Sequence, residues 1–229
     1  MRTEHTGSAN TTHQAGKAQL FTTVHDVMTM DSTRPQPKEK HARHVILIAG
    51  PSGCGKTHLI RKLSRPPHDQ FILKVLKQLD CDPNQRLKRS TLERMQRLMD
   101  PANAKKRKTR KLDYCLLLHI DLTSINHRSN LKLLRQILTR TTRLDAITLY
   151  APPHEWRERV INRIHTENEP SMRAGAIALS AKLSEKISTF LYHREYKKWR
   201  KESNSLNINK STIINTFTQT IYSSTKPPF

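Results

Sequence analysis

The stretch that decides the fold runs from His44 to Leu63 and reads HVILIAGPSGCGKTHLIRKL. Its apolar residues Val45–Ala49 form a continuous run, which is typical of a parallel strand buried on both faces. A glycine-rich turn follows, and then Leu59, Ile60 and Leu63 recur at the spacing of one helix face. The order of strand, turn and helix predicts the first βα unit of an α/β fold.

The turn after this strand has the spacing G-x-x-x-x-G-K-T, with Gly50, Gly55, Lys56 and Thr57 at the fixed positions. Glycines let successive backbone N–H groups point into one concavity and approach phosphate oxygens without obstruction from a Cβ. The lysine places an ammonium near the β- and γ-phosphates, and the threonine hydroxyl is a ligand for Mg²⁺. The spacing therefore predicts a site for ATP or GTP with Mg²⁺. The residues predicted to bind the nucleotide are Gly50, Pro51, Ser52, Gly53, Cys54, Gly55, Lys56 and Thr57, among which Cys54 occupies a variable position without predicted chemistry.

The sequence GPSGCGKT at residues 50–57 resembles the phosphate-binding loop of the P-loop NTPase superfamily, and in particular that of the guanylate-kinase type and related small nucleoside and nucleotide kinases. The resemblance covers about residues 44–165. It implies an α/β fold, with a three-layer α/β/α P-loop domain around a parallel sheet, and a catalytic role for Lys56. The chain departs from these kinases in two places. No second strand is evident between Ser64 and Lys111, where Phe71–Leu79 favours a helix, and the segment after residue 165 is short for a lid.

A second apolar run, Cys115–Ile120, ends at Asp121 and predicts a second buried strand. The resemblance implies that this strand supplies the carboxylate that P-loop enzymes use to order Mg²⁺, so that Thr57 and Asp121 are the predicted metal ligands. Asp121 could instead orient or deprotonate an acceptor hydroxyl, or simply cap a turn. His119 on the same run is interpreted as a packed or hydrogen-bonded side chain.

Arginines follow a third predicted strand, Ala146–Tyr150, and a break at Ala151-Pro-Pro. The helix predicted over Glu155–His165 turns by about 100° per residue, which places Arg157 within its apolar stripe and Arg163 beside it. The arrangement resembles the start of the lid in nucleoside and nucleotide kinases, which implies that arginines clamp the transferring phosphoryl group. The predicted catalytic residues are then Lys56, Asp121, Arg157 and Arg163, with Arg159 and Arg173 as further candidates. The alternative is a surface helix whose arginines pair with Glu155 and Glu158.

The net charge of +22, from 41 Lys and Arg against 19 Asp and Glu, favours a polyanionic partner. The densest stretch is Arg86–Lys111, with eleven basic residues against Glu93 and Asp100. Leucines and methionines at helical spacing predict an amphipathic helix over Gln85–Met99, and the KKRKTRK run at 105–111 has no apolar anchor. Nucleic acid is a candidate partner for this stretch. A solvated basic loop without a partner is the alternative.

The chain divides by composition into three predicted regions. They are a disordered polar N-terminal segment (1–40), a P-loop NTPase or kinase-like domain (41–202) and a C-terminal tail (203–229). Residues 171–201 predict one or two helices and hence a helical C-terminal part, in which Tyr192, Tyr196 and Trp199 lie at helical spacing as a core stripe. A short helix is predicted at 212–222.

The sequence argues against a membrane-spanning protein and against one stabilised by disulfides or a zinc cluster. No apolar run approaches the roughly 18 residues that a membrane span requires. The three cysteines, Cys54, Cys81 and Cys115, share no CxxC spacing, which argues against a disulfide framework or a zinc cluster and favours the reducing cytoplasm.

Three functions are consistent with these patterns. The first is a Mg²⁺-dependent phosphotransferase, a kinase that uses ATP or GTP and acts on a small hydroxyl or phosphate acceptor. The second is a nucleic-acid-associated NTPase that uses the basic region 86–111. The third is a non-catalytic nucleotide-binding protein.

Overall fold

The computed structural model describes residues 42–99, 115–139, 141–166, 172–180, 184–223 and 228–229. These residues belong to the unit Glu39–Phe229. The predicted disordered segment 1–40 and the basic run 105–111 lie outside the described residues.

The described strands form one sheet in the order β2-β3-β1-β4-β5-β6. The first five strands of that order run parallel, and β6 pairs antiparallel with β5. The strand bounds are β1 Ala42–Gly50, β2 Leu87–Arg89, β3 Cys115–Asp121, β4 Thr141–Tyr150, β5 Lys210–Asn215 and β6 Thr220–Ser223.

Helices flank this sheet in a three-layer α/β/α arrangement, as predicted. Buried leucines and isoleucines on their inner faces join the apolar side chains of β1 and β3 in one core. The helix bounds are α1 Lys56–Leu63, α2 Gln70–Gln78, α3 Leu92–Met99, α4 His127–Leu138, α5 Pro153–His165, α6 Met172–Ser180 and α7 Glu185–Ser203. No described helix has both the length and the apolar character needed to cross a membrane.

The central strand β1 explains where a ligand would lie. Its apolar residues are fully buried, and it pairs with β3 on one side and β4 on the other. The chain leaves β1 toward β2 and β3 and later crosses to β4, so the strand order reverses at β1. In open parallel sheets, ligands bind at such a switch point, beyond the carboxyl ends of the strands. Gly50 and Asp121 end β1 and β3 directly opposite each other at this edge.

The sheet contains a second strand that the sequence did not reveal. The helix predicted over Gln85–Met99 is wrong in its first half, where Leu87–Arg89 forms β2 and pairs with β3. Leu87 is buried opposite Cys115, and this pairing overrides the helical spacing of the leucines. The helix begins only after Thr91, whose hydroxyl accepts a hydrogen bond from the Arg94 N–H at 3.2 Å. The helix predicted at Phe71–Leu79 is confirmed as α2.

The C-terminal region also differs from its prediction. The short helix predicted at 212–222 is wrong, because residues 210–223 extend the sheet as β5 and β6 and are no separate tail. Thr212, Ile213 and Ile214 are buried and pair with β4, and the Asn215 side chain accepts hydrogen bonds from two N–H groups of the following turn. The predicted helical part is present as two helices, α6 and α7, and Ser184 caps α7 by accepting from the Ile187 N–H.

Candidate nucleotide-binding site

The loop between β1 and α1 has the turn that its glycines predict. Gly53 and Gly55 have φ values of +91° and +85°, which favour glycine over residues with a side chain. The Cys54 N–H donates to the Pro51 carbonyl at 3.2 Å, closing the turn. A Cβ on Gly50 would stand 3.1 Å from the carbonyl oxygen of Leu149 in β4. The glycines therefore allow both the turn and the close approach to the neighbouring strand.

Two elements hold this loop from its sides. The indole N–H of Trp156, in the first turns of α5, donates to the Ser52 carbonyl at 2.8 Å. Val160, one helical turn further, packs so close that a Cβ on Gly53 would lie 3.0 Å from its Cγ2. On the other side, the Ser52 N–H donates to the Thr123 hydroxyl at 3.0 Å. The loop is thus positioned before any ligand binds, which lowers the entropy cost of binding.

The loop residue Cys54 belongs to a buried polar cluster with Tyr192 and Tyr196. The Cys54 thiol lies 3.4 Å from the Tyr196 hydroxyl and 3.6 Å from the Tyr192 hydroxyl. These hydroxyls donate to the carbonyls of Leu149 and Ala151 at the end of β4. Burial raises the pKa of the Cys54 thiol above its usual range, so the thiol stays protonated. Cys54 therefore has a packing role, and Tyr192, Tyr196 and Trp199 are buried as the predicted core stripe.

Lys56 is buried within the loop. Its ammonium donates to the carbonyls of Gly50 at 2.8 Å and Pro51 at 2.7 Å, and it lies 3.5 Å from Asp121 Oδ2. Burial lowers the pKa of Lys56, the Asp121 carboxylate opposes that shift, and the positive charge of Arg163 lowers the pKa further. Phosphate oxygens bound in the loop would compete with the two carbonyl oxygens for this ammonium.

Asp121 lies at the end of β3 and faces Lys56. Its Oδ1 accepts hydrogen bonds from the N–H and the hydroxyl of Thr123, at 2.9 and 2.7 Å. Its Oδ2 is the oxygen nearest the Lys56 ammonium. Thr123 therefore orients the carboxylate and also holds the loop through Ser52. Sequence reasoning missed Thr123, although a threonine two residues after an aspartate is a known hydrogen-bonding pattern in turns.

The donor groups at this edge suit Mg²⁺. Thr57 is exposed in the first turn of α1, and the Asp121 side chain is only partly buried. A hydroxyl and a carboxylate are the hard oxygen ligands that Mg²⁺ prefers. The predicted ligands Thr57 and Asp121 thus fit the ion in chemistry, and their role stays a prediction.

The predicted arginines differ in their surroundings. Arg163 is exposed, and its charge acts on the pKa of Lys56. Arg157 lies 3.7 Å from Glu185 of α7, which is neither of the glutamates named in the surface-helix alternative. Arg159 donates to the Thr216 hydroxyl at 3.3 Å, and Arg173 pairs with the buried Glu195.

Charged groups that sequence reasoning missed lie on the other side of Asp121. Burial lowers the pKa of His119 in β3, and the positive charges of Lys56 and Arg89 lower it further, while Asp121 and Glu93 oppose them. Arg89 ends β2, and Glu93 lies in the first turn of α3. Recognising β2 in the sequence would have placed Arg89 beside Leu117 in β3, four residues before Asp121. The Nδ1 of His119 is buried and has no hydrogen-bond partner among the described residues.

Comparison with known proteins gives a family match and distant structural likenesses. Residues 46–136 match the viral superfamily 1 RNA helicase core domain, a range that covers the loop and Asp121 but less than half of the chain. A comparison with curated protein sequences finds no match. The crystal structure of a putative kinase from Chloroflexus aurantiacus j-10-fl is 14% identical with a TM-score of 0.33, over 67% of this chain and 80% of that chain. Shikimate kinase from Acinetobacter baumannii, in complex with shikimate, is 14% identical with a TM-score of 0.32, over 75% of this chain and 83% of that chain.

The loop sequence, its position between a central parallel strand and a helix, the opposed carboxylate and the family match agree with one another. The closer resemblance to the guanylate-kinase type stays a prediction. Together these observations support assignment of this part of the chain to the P-loop NTPase superfamily.

Proposed function

We propose that the protein is a Mg²⁺-dependent phosphotransferase that moves the γ-phosphoryl group of ATP or GTP to a small hydroxyl or phosphate acceptor. The observation that carries the proposal is the Asp121 carboxylate, 3.5 Å from the loop lysine Lys56. Two arginines act on this region through their charge, since Arg163 lowers the pKa of Lys56 and Arg89 lowers the pKa of His119. A carboxylate beside a loop lysine with further cations acting on it suits phosphoryl transfer, whose catalysis is positioning and charge stabilisation.

The nucleotide phosphates would bind over the backbone N–H groups of the loop and the start of α1. Lys56 would exchange its two carbonyl partners for β- and γ-phosphate oxygens, and Arg163 would approach the transferring group from α5. Arg157 could assist once it leaves Glu185, an exposed partner whose loss costs little. Mg²⁺, held by Thr57 and Asp121, would neutralise negative charge on the phosphates.

The acceptor would occupy the carboxyl edge between β2 and β3. Arg89 would attract an acceptor that carries a carboxylate or phosphate, as guanidinium groups recognise such anions. With Asp121 engaged as a magnesium ligand, the ion would help to position the acceptor hydroxyl for attack. Glu93, in the first turn of α3, acts against Arg89 on the pKa of His119 and would disfavour a strongly negative acceptor on that side.

A nucleic-acid-associated NTPase is the second candidate, and two observations favour it. One is the match of residues 46–136 to the RNA helicase core domain. The other is the basic stretch, of which Arg86, Arg89, Arg94 and Arg97 are exposed in the described part. Under this alternative Arg89 would contact a nucleic-acid phosphate rather than a small acceptor, and binding would weaken steeply with salt.

The test compares ADP release by the wild type, Lys56→Ala and the control Lys62→Ala. Lys62 is in the same helix, and its ammonium lies 2.7 Å from Asp69 and outside the loop. Each protein is assayed alone, with a panel of nucleosides, nucleotides and small hydroxy acids, and with single-stranded RNA. We expect ADP release that depends on one acceptor class, is lost about 100-fold or more in Lys56→Ala, and is unchanged in Lys62→Ala.

The other outcomes decide between the alternatives. Hydrolysis stimulated by RNA and not by any small acceptor would replace the first proposal with the second. Nucleotide binding without turnover in any condition would reject both and leave a non-catalytic nucleotide-binding protein. Loss of activity in Lys62→Ala equal to that in Lys56→Ala would show that the assay reports folding rather than the site.

We also infer that the protein works in the cytoplasm. Its three cysteines are all free thiols and buried. Thiols of this kind persist in a reducing compartment. Fractionation of the native host cells would test this placement, and recovery of the protein from an oxidising compartment would contradict it.

A further inference from the structure

A second cluster of metal-binding side chains lies in the half of the sheet away from the phosphate loop. His44 is near the start of β1, Asp145 is in the first half of β4, and Cys81 follows α2. One ligand atom from each lies within 4.8 Å of the others, and all three residues are buried. The cluster thus joins three segments that are distant in sequence.

Asp145 carries the observation that points to a ligand. Its side chain is fully buried. Its Oδ2 accepts from His44 Nε2 at 2.7 Å and from Arg143 Nε at 3.0 Å. Its Oδ1 is buried and has no hydrogen-bond partner among the described residues. A buried carboxylate oxygen without a partner loses its hydration without compensation, so a cation at Oδ1 would stabilise it.

We propose that His44, Cys81 and Asp145 bind a divalent transition-metal ion, for which the donor set favours Zn²⁺. An imidazole nitrogen, a thiolate sulfur and a carboxylate oxygen are zinc ligands, whereas Mg²⁺ and Ca²⁺ prefer oxygen alone. Metal–ligand distances of about 2.0–2.3 Å require ligand atoms roughly 3.3–3.8 Å apart. Closing the cluster from its present spacing needs an inward shift of about an ångström by the side chains.

The rest of the cluster suits that role. The His44 proton would move from Nε2 to Nδ1 by exchange with solvent, so that Nε2 leaves Asp145 Oδ2 and gives its lone pair to the metal, while Arg143 would keep Oδ2 and orient the carboxylate. The Cys81 thiol would lose its proton to solvent as the sulfur–metal bond forms, so one proton is released for each ion bound. The three residues fill three of the four tetrahedral positions, so a water would complete the shell, and the ion would tie β1 and β4 to the segment after α2.

The spacing of the cysteines had argued against a zinc cluster, and the structure explains why the spacing misleads here. The three ligands lie 37 (81 − 44) and 64 (145 − 81) residues apart. Only the pairing of β1 with β4, and the return of the chain after α2, brings them together.

The test uses the full chain, freed of metal with a chelator under reducing conditions. Zn²⁺ is titrated in competition with a chromophoric chelator, and bound metal is counted by mass spectrometry. The variants are Cys81→Ala and Asp145→Asn. Cys115→Ala is the matched control, because Cys115 is also a buried free thiol but not one of the three ligands. Circular dichroism checks that each variant is folded.

We expect one Zn²⁺ per chain in the wild type and in Cys115→Ala, and an affinity at least 100-fold lower in Cys81→Ala. Saturating Zn²⁺ should raise the Tm of the wild type by about 5–10 °C and leave the Tm of Cys81→Ala unchanged. Co²⁺ should give a thiolate charge-transfer band that Cys81→Ala lacks.

Two results would overturn the proposal. One is Zn²⁺ binding that survives Cys81→Ala, which would locate the ion on other histidines of this chain. The other is an equal loss of affinity in Cys115→Ala. If Asp145→Asn does not fold, the zinc affinity of Cys81→Ala and the Co²⁺ spectrum still test the proposal. The readout is metal binding, so neither result bears on phosphotransfer.

Discussion

Replacing single glycines by alanine tests how the phosphate loop is held. Gly53 and Gly55 both have a positive φ, but they differ in their surroundings. A Cβ on Gly53 would stand 3.0 Å from Val160 Cγ2 and 3.5 Å from the indole nitrogen of Trp156. A Cβ on Gly55 would meet only Thr216, at 3.9 Å. The stability loss in Gly55→Ala thus measures the cost of the left-handed backbone conformation alone. The loss in Gly53→Ala measures that cost together with the cost of crowding against α5.

The expected magnitudes follow from these two contributions. A residue with a Cβ in the left-handed region costs about 1–2 kcal/mol, and part of this is offset by the lower entropy of the unfolded chain. We expect Gly55→Ala to lower the free energy of unfolding by about 1 kcal/mol. Overpacking against Val160 adds about 1–3 kcal/mol, so Gly53→Ala should lower it by about 2–4 kcal/mol.

Gly175 is the control outside the loop. It lies within α6, its φ is not positive, and a Cβ there would meet Ile164 Cδ1 at an ordinary 3.7 Å. Alanine is a better helix former than glycine, so Gly175→Ala should raise the free energy of unfolding by about 0.5–1 kcal/mol.

The assay is equilibrium unfolding in urea, followed by circular dichroism, with the slope m compared among variants to check that the transition stays two-state. Equal losses in Gly53→Ala and Gly55→Ala would refute the inference that Val160 packs against the loop. A destabilised Gly175→Ala would refute the ordinary contact distance and show that α6 packs on Ile164 of α5 more tightly than 3.7 Å allows.

Two further predictions concern Lys56 and Asp69. Because burial lowers the pKa of Lys56 below the usual 10.5, the ammonium is lost at a lower pH than in an exposed lysine. The affinity of the wild type for ATP, measured by calorimetry, should therefore fall as the pH rises toward 10.5. The affinity of Lys56→Arg, whose guanidinium does not deprotonate, should stay constant over the same range. An equal fall in both proteins would contradict this. Asp69 caps α2 by accepting from the Ile72 N–H at 2.8 Å, so Asp69→Ala should lower the free energy of unfolding by about 1 kcal/mol. The hydrogen bond from Lys62 holds the pKa of Asp69 below its usual range, so this stabilisation is present above the unfolded pKa and is lost as the pH falls through the folded pKa. The Tm of wild type should exceed that of Asp69→Ala at neutral pH, and this Tm difference should shrink near pH 3. A Tm difference that stays constant with pH would exclude the ion pair between Asp69 and Lys62.

The sequence determined the parts of the site that are local in the chain. The apolar run, the glycine turn and the helix at residues 44–63 predicted β1, the loop and α1, because each depends on neighbours a few residues away. The same holds for β3 with Asp121 at its end, and for the helix that carries Arg157 and Arg163.

Strands that depend on distant partners were not predicted. β2 has only three residues, and its leucine spacing favours a helix until Cys115 of β3 pairs with Leu87. The strands β5 and β6 were mistaken for a tail with a short helix, because their apolar residues are few and gain their burial from β4. Short strands have little periodicity of their own, so pairing with neighbouring strands determines whether they form.

The chemistry of the site shows the same division. The sequence named Lys56 and Asp121, but only the register of β1 with β3 brings their charged atoms to 3.5 Å, although they are 65 (121 − 56) residues apart. Tertiary structure also decided that Thr123 orients the carboxylate and that Arg163 acts on the loop lysine. Residue type and spacing specify which groups a chain carries. Which of them meet depends on strand pairing and helix packing, which set distances between residues that are far apart in the chain.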